Sequence, residues 1–266
     1  MYNHKHNIRL KTAEYDVFIV ANQTLIRAQD IEPLARSMED ANPVEILQVA
    51  VDRIANLTLA CSFGAEDMVL VDMLSRIRAD IEFFYLDTDV LFPETYALRD
   101  AVIEKYAQMR VRRVRPSMTL DEQAESYGSE LWKTSPNTCC GIRKVQPLTQ
   151  VLQDYDGWIT GIRRDQAPTR ANAQVFEADG TFGLIKVSPL AFWTDEQVWA
   201  YIRANGVPYN PLHDQGYPSI GCVHCTRAVT SGEDPRAGRW SGLEKTECGL
   251  HEKVCERSEV AYAKSK

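Results

Sequence analysis

The chain has 266 residues, of which 44% are apolar and 25% are charged, and this composition excludes collagen-like, low-complexity and disordered proteins. Its formal net charge of −7 argues against a nucleic-acid-binding protein held by phosphate contacts. The longest apolar runs are far shorter than the roughly 18 residues of a membrane-spanning helix. Residues 1–6 contain no apolar signal segment, so we expect a cytoplasmic protein that neither spans nor binds a membrane.

The first 56 residues contain amphipathic, helix-like stretches, which we interpret as a helical lead-in. After them, short β-type runs alternate with segments of helical periodicity. The predicted strands are 57–61, 81–86, 111–114 and 157–160, and the predicted helices are 65–77, 96–106 and 120–127. Strands that alternate with helices form right-handed βαβ units, so we predict an α/β fold with a mostly parallel, twisted sheet flanked by helices.

Two polar turns follow predicted strands, where parallel sheets bind their ligands. In the turn that begins at Ser62, backbone N–H groups can face an anion at a helix N-terminus, although Ser62 can equally be an ordinary helix cap. The turn at 161–170 contains Arg163, Arg164 and Arg170, whose guanidinium groups match sulfate or phosphate oxygens. Exposed arginines are more often simply solvated, so neither turn alone identifies a site.

The seven cysteines are the strongest chemical signal in the chain. Cys139 and Cys140 are adjacent, and Cys222 and Cys225 form a C-x-x-C pair. Because adjacent Cα atoms lie only about 3.8 Å apart, a disulfide between the first two would be strained. We therefore predict a centre held by four thiolates, with zinc and an iron–sulfur cluster both open. Lys144 follows the first pair and would lie beside this centre.

The C-terminal part, residues 226–266, is rich in glycine and poor in large apolar residues, and we predict that it is a flexible tail on one α/β domain of residues 1–225. In it, Cys248 lies in sequence near Arg236, Arg239 and His251, a basic context in which a nucleophilic thiolate and an inert thiol are about equally expected. Two further cysteines receive no assigned role: Cys61 and Cys255.

Six segments in order along the chain resemble the assimilatory sulfonucleotide reductases. They are SFGAED at 62–67, LDT at 86–88 with LFPET at 91–95, CC at 139–140 with RK at 143–144, TGIRRDQ at 160–166, CVHC at 222–225 and ECGLH at 247–251. The resemblance implies a fold of the adenine-nucleotide α-hydrolase type. Because all four paired cysteines are present, it also implies the adenylyl-sulfate (APS) reductases, which carry one 4Fe–4S cluster per chain on Cys139, Cys140, Cys222 and Cys225.

The resemblance further implies a reaction of sulfate assimilation and cysteine biosynthesis. The Cys248 thiolate attacks the sulfur of APS, AMP leaves, and thioredoxin releases sulfite from the resulting S-sulfocysteine. A homo-oligomer is implied as well. The family's substrate contacts carry over onto Ser62, Phe63, Gly64, Leu86, Lys144, Gly161, Arg170, Arg236, Arg239 and His251.

Two alternatives remain at this point. A reductase of 3′-phosphoadenylyl sulfate (PAPS) has the same architecture, although relatives of that type lack the four cysteines. An iron–sulfur tRNA thiolase would have a Ser-Gly-Gly-x-Asp-Ser loop and a basic surface, and the sequence has neither. The chain departs from the family pattern at Asp89, where glycine is frequent, and at Cys61, where small or hydroxyl residues are common.

Overall fold

The structure is a computed structural model that describes residues 25–243, 245 and 247–250, together with strands β1 (Ile8–Arg9) and β2 (Phe18–Ile19). These two short strands pair with each other in antiparallel orientation. Within the described residues, no helix has the length and apolar character needed to cross a membrane.

The main sheet has six strands in the order β5-β4-β3-β6-β8-β7. Their bounds are β3 Leu57–Ala60, β4 Glu82–Leu86, β5 Arg110–Val114, β6 Gly157–Ile159, β7 Phe176–Asp179 and β8 Leu184–Val187. All neighbouring pairs are parallel except β7 and β8, so β7 is an antiparallel edge strand. The predicted mostly parallel α/β sheet is confirmed.

The helices begin with α1 and α2, which precede the sheet, and continue between and after its strands. Their bounds are α1 Ala28–Ser37, α2 Pro43–Arg53, α3 Ala65–Ile77, α4 Pro93–Lys105, α5 Leu120–Tyr127, α6 Leu131–Thr134, α7 Pro136–Cys140, α8 Gln146–Leu152 and α9 Asp195–Asn205. A π-helical turn, Gly141–Val145, joins α7 to α8. Capping boxes at Asn42, Thr119 and Thr194 fix the starts of α2, α5 and α9.

The central strand β3 is nearly all buried, and α3 packs its apolar residues into the main core. The chain builds β3, β4 and β5 towards one edge and then returns to place β6 on the other side of β3. At such a switch point the loops after the two central strands leave in opposite directions, and a crevice opens between them. The fold therefore places the functional site between the loops that follow β3 and β6.

The segment that follows Cys225 folds back on the preceding chain. The Arg227 N–H donates to the Gly238 carbonyl, and the Trp240 N–H donates to the Cys225 carbonyl. The Trp240 side chain is buried. The mobility of residues 226–266 and the boundary at 225 stay predictions, and Cys255 and His251 lie outside the described residues.

Candidate active site

The loop after β3 is held by its own hydrogen bonds. The Ser62 N–H and hydroxyl both donate to Asp67 Oδ2, each at 2.6 Å. Phe63 has a left-handed backbone (φ 61°) and a buried ring in edge contact with Tyr85. The residue at the N-cap of α3 is Gly64, so the alternative of Ser62 as an ordinary helix cap is wrong.

The loop after β6 approaches α3 very closely at Gly161. A Cβ atom at this position would lie 2.4 Å from Asp67 Oδ1 and 2.8 Å from Glu66 Cβ, so only glycine fits without displacement. Burial raises the pKa of Asp67 to about 6, although hydrogen bonds from Ser62 oppose that shift. Asp67 thus lies under both loops and fixes their separation.

The three arginines of the second loop do not form an open anion site. The buried guanidinium of Arg163 contacts Asp165 and donates to Glu66 Oε1 at 2.9 Å and to Asp195 Oδ1 at 3.1 Å. Arg164 Nε donates to the Ala173 carbonyl at 2.7 Å. These carboxylates neutralise Arg163, so its interpretation as an anion-recognition residue was wrong; it anchors the loop instead.

A cleft of about 660 Å³ occupies the switch point between β3 and β6. It is lined by most of the residues that the sequence predicts as substrate contacts. These are Ser62, Phe63, Gly64, Leu86, Lys144, Gly161, Arg170, Arg236 and Arg239, and Cys248 lines the same cleft. The remaining predicted contact, His251, lies outside the described residues.

Two cations of this cleft, Lys144 and Arg239, pair with no carboxylate among the described residues. Arg239 Nη1 donates to Ser219 Oγ at 3.0 Å, while its buried Nε has no hydrogen-bond partner among the described residues. Burial would lower the pKa of Lys144, but its electrostatic interactions with Cys222 and Cys248 raise it above its ordinary value. The cleft therefore offers fixed positive charge to a small anion.

A second, smaller cavity of about 20 Å³ lies behind Lys144 and Arg239, which line both cavities. Its remaining walls include four free thiols, those of Cys139, Cys140, Cys222 and Cys225. Burial, together with the charges of neighbouring cysteines, raises the pKa of Cys139 and of Cys225 to about 11. The two cysteine pairs, which are distant in the chain, therefore line one cavity.

The potential metal ligands that line this cavity are the four cysteine sulfurs and the imidazole of His224, with cations at its edge. Among the residues that the structure describes, no three His, Cys, Asp or Glu side chains are arranged as metal ligands. Clustered thiols nevertheless fit a positively charged metal centre, because bound metal removes their protons. The Thr88 hydroxyl lies 3.3 Å from Cys222 Sγ, within hydrogen-bond reach of that sulfur.

Arg143 connects the cysteine-bearing helix to the sheet. Its buried guanidinium donates to the Thr88 carbonyl at 2.7 Å, to Gln123 Oε1 at 3.2 Å and to Asp89 Oδ2 at 2.5 Å. Asp89 has a left-handed backbone (φ 59°), and its other oxygen accepts from Arg115. The departure from glycine at this position therefore adds a carboxylate that both arginines use.

The sequence interpretation missed several residues of the cleft. His213 lines it with a buried Nε2 that has no hydrogen-bond partner in the part of the chain that the structure describes, and burial lowers the pKa of this imidazole. Glu247, directly before Cys248, is buried against two arginines. Glu247 belongs to the ECGLH segment, but the sequence assigns it no role because its arginine partners lie elsewhere in the chain, and no local pattern marks His213.

The fold and the cleft together define an α/β protein with the adenine-nucleotide α-hydrolase-like fold and a cleft at the switch point that is lined by several cations. A solved FMN adenylyltransferase from Candida glabrata, in complex with FAD and inorganic pyrophosphate, has the same fold. It superposes with a TM-score of 0.51 at 13% identity over 83% of this chain and 85% of its own.

Two named relatives are more similar in sequence to this chain than that enzyme is. Residues 56–228 match the model of the phosphoadenosine phosphosulfate reductase domain. A relative from Shouchella clausii named adenosine 5′-phosphosulfate reductase is 48% identical over 85% of this chain and 94% of its own length. One of the same name from Staphylococcus epidermidis is 49% identical over 89% of this chain and 95% of its own.

Among solved structures, the phosphoadenylyl-sulfate (PAPS) reductase from Candida auris, in a phosphate complex, superposes with a TM-score of 0.67 at 31% identity. The match covers 77% of this chain and 98% of that one. The chain belongs to the phosphoadenosine phosphosulfate reductase domain family.

Proposed function

We propose that the chain is an adenylyl-sulfate reductase, which converts APS to sulfite and AMP in assimilatory sulfate reduction, with reduced thioredoxin as the electron donor. The observation that carries the proposal is the presence of Cys248 in the switch-point cleft beside Lys144 and Arg239. The relatives named adenosine 5′-phosphosulfate reductase, at 48% and 49% identity, support APS as the substrate.

In the proposed first step, the Cys248 thiolate attacks the sulfur of APS. The new S–S bond forms as the bond between sulfur and the bridging phosphate oxygen breaks, and that electron pair leaves on AMP. Lys144, Arg236 and Arg239 stabilise the negative charge on the sulfate and on the departing phosphate. AMP leaves as an anion, so no general acid is needed.

In the second step, a thiolate of reduced thioredoxin attacks Cys248 Sγ and displaces sulfite. The second thioredoxin thiol then resolves the mixed disulfide, which restores the Cys248 thiol and leaves thioredoxin oxidised. The two electrons that reduce the sulfur therefore come from the thioredoxin dithiol. Cys248 can accept this attack because it is only partly buried in the cleft.

We further propose that Cys139, Cys140, Cys222 and Cys225 hold one 4Fe–4S cluster per chain. When bound, the cluster supplies structural cross-linking and a thiolate-rich negative centre beside the cleft. Lys144, on the wall shared by the two cavities, would be fixed between that centre and the substrate anion. Iron and acid-labile sulfide in anaerobically purified protein test this assignment, and a colourless, zinc-loaded protein would contradict it.

The reaction is tested by Cys248→Ser. We expect this variant to lose sulfite formation while it keeps the iron and sulfide content of the wild type. Cys255→Ser, which removes the other cysteine of the predicted tail, is the matched control and should keep its activity. Normal turnover by Cys248→Ser would overturn the mechanism.

PAPS is the second candidate substrate, because the Candida auris structure is named as a PAPS reductase. The lower identity of that match and the complete set of four cysteines favour APS. Steady-state turnover with each nucleotide separates the two, and a preference for PAPS would refute the APS assignment.

A further inference from the structure

Glu247, the residue before Cys248, joins the end of the described chain to the cleft. Its side chain is 7% exposed. Arg170 Nε donates to Oε1 at 2.9 Å and Arg170 Nη2 donates to Oε2 at 2.9 Å, which is a bidentate pair. Arg236 Nη2 also donates to Oε2, at 3.1 Å, and the Thr169 hydroxyl donates to Oε1 at 3.1 Å. The carboxylate is thus held from two separate loops.

This carboxylate is charged in the folded protein. Burial would raise the pKa of Glu247, but the hydrogen bonds and charge of Arg170 and the charge of Arg236 hold it below its ordinary value. Arg170 is held in turn by Gln166 Oε1, which accepts from its Nη1 at 2.6 Å. The contact is therefore a partly desolvated, charge-assisted clasp, which is stronger than a surface ion pair.

The clasp limits where the next residue can lie. Consecutive Cα atoms are about 3.8 Å apart, so a fixed Glu247 leaves Cys248 little freedom beyond the rotation of its own side chain. Leu250 gives a second, apolar contact on the other side of the thiol, against the cluster that contains Phe84 and Trp158. Cys248 is thereby placed between two anchors at the edge of the cleft.

We propose that Glu247 is a positioning residue for the reaction proposed above, on which this inference rests. Its clasp with Arg170 and Arg236 holds the Cys248 thiolate in the cleft for attack on the substrate sulfur. Release of the clasp then exposes the S-sulfocysteine to the dithiol protein. Glu247 consequently matters for formation of the adduct and not for its reduction.

The test separates the two half-reactions in Glu247→Gln, which keeps the shape of the side chain and removes its charge. At saturating APS, we expect single-turnover adduct formation on Cys248 to slow by about tenfold or more, because the thiol is less often in place. Release of sulfite from the preformed adduct by thioredoxin should stay within about twofold of wild type or become faster. Alkylation of Cys248 by iodoacetamide in the free enzyme should become faster.

The matched control is Glu233→Gln. Glu233 forms a bidentate pair with Arg227, and neither residue lines the cleft. We expect this variant to form the adduct at the wild-type rate. If Glu247→Gln is insoluble, Glu247→Asp is measured in the same way with the same expectation, because its carboxylate is drawn back by one methylene group.

Adduct formation at the wild-type rate in Glu247→Gln would overturn the proposal. Equal slowing of both half-reactions with weaker binding of AMP would also overturn it, since Glu247 would then only organise the substrate-binding arginines. Neither result would contradict the proposed function, which fails instead if Cys248→Ser still produces sulfite.

Discussion

Asp67 connects the two loops that form the walls of the cleft. It accepts two hydrogen bonds from Ser62 and lies against Gly161, so its protonation state bears on both loops. Its pKa of about 6 exceeds the ordinary value of 3.8, because burial disfavours the charged carboxylate. The folded protein therefore binds this proton more tightly than the unfolded chain does.

This difference predicts how stability depends on pH. As pH falls from 7 to 5, Asp67 takes up its proton in the folded state but not in the unfolded chain, so its contribution to the free energy of unfolding rises by about 1 kcal/mol. Asp67→Asn has no such titration. We expect wild type to gain stability relative to Asp67→Asn over this range, measured by chemical denaturation at both pH values. A difference that is constant with pH would contradict the raised pKa.

Gly161 gives a second prediction about a single residue. In Gly161→Ala the new methyl group would collide with Asp67 and Glu66, so the loop after β6 must move away from the cleft. We expect the dissociation constant of AMP, measured by calorimetry, to rise by about tenfold or more. Gly180→Ala is the control, because a Cβ atom there meets nothing within 4 Å. Unchanged AMP binding in Gly161→Ala would show that the loop does not contact the nucleotide.

At the scale of elements, Arg143 lies in the π-helical turn after α7, the helix that contains Cys139 and Cys140, and attaches this helix to the sheet. The side chain is buried and donates to Thr88, Gln123 and Asp89, which belong to two other parts of the chain. Arg143→Met would leave Asp89 and a carbonyl group without these bonds, so we expect the free energy of unfolding to fall by about 3 kcal/mol or more. Arg112→Met breaks an exposed pair with Asp154 and should cost about 1 kcal/mol or less.

Chemical denaturation of the two variants measures this difference. Similar losses for Arg143→Met and Arg112→Met would mean that the Arg143 contacts do not hold the cysteine-bearing helix in place.

The elements that the sequence predicts well carry their own local signals. The helix predicted at 65–77 matches α3, and that predicted at 120–127 matches α5, whose start is fixed by the capping box at Thr119. The strand predicted at 81–86 matches β4 except for its first residue, because its apolar run is buried between two neighbours.

The missed elements depend on tertiary contacts. β7 contains the charged residues Glu177 and Asp179, so its sequence pattern does not indicate a strand. Pairing with β8 at the sheet edge and the hydrogen bond from Trp158 Nε1 to Asp179 hold it in strand conformation. The helix that contains Cys139 and Cys140 has poor local propensity and depends on the buried Arg143. The candidate site was predictable to the same extent. The cysteines and cations indicate their chemistry by residue type alone, whereas Glu247 acquires its role only from arginines elsewhere in the chain.

Over the whole molecule, the net charge of −7 is compatible with positive charge in the cleft, because carboxylates pair with some of the cleft cations and not with others. Glu66 and Glu247 neutralise Arg163 and Arg170 inside the cleft walls, and Lys144 is left to face the interior. An overall negative surface disfavours polyanions, while the local field still attracts one small anion.

Among the described residues, the buried members of the main core cluster lie before the C-terminal segment, which leads to the last prediction. Every member of the main core cluster lies between Ile26 and Val207, and Leu250 is the described residue after 243 that packs against the second cluster. A chain that ends at Leu243 should therefore still fold, but its free energy of unfolding should be lower by about 3 kcal/mol or more. Among the described residues it loses the Leu250 contact and the Glu247 clasp, and Arg170 and Arg236 are left without their buried carboxylate partner.

This truncated chain should still bind AMP, because the loops after β3 and β6 remain, but it should form no adduct with APS. Calorimetry with AMP and mass spectrometry after incubation with APS measure the two properties. Full-length Cys248→Ser is the control, because it removes the thiol and keeps the rest of the tail. Loss of AMP binding in the truncated chain, with binding retained in Cys248→Ser, would show that residues 244–266 help to build the nucleotide site as well as supplying the nucleophile.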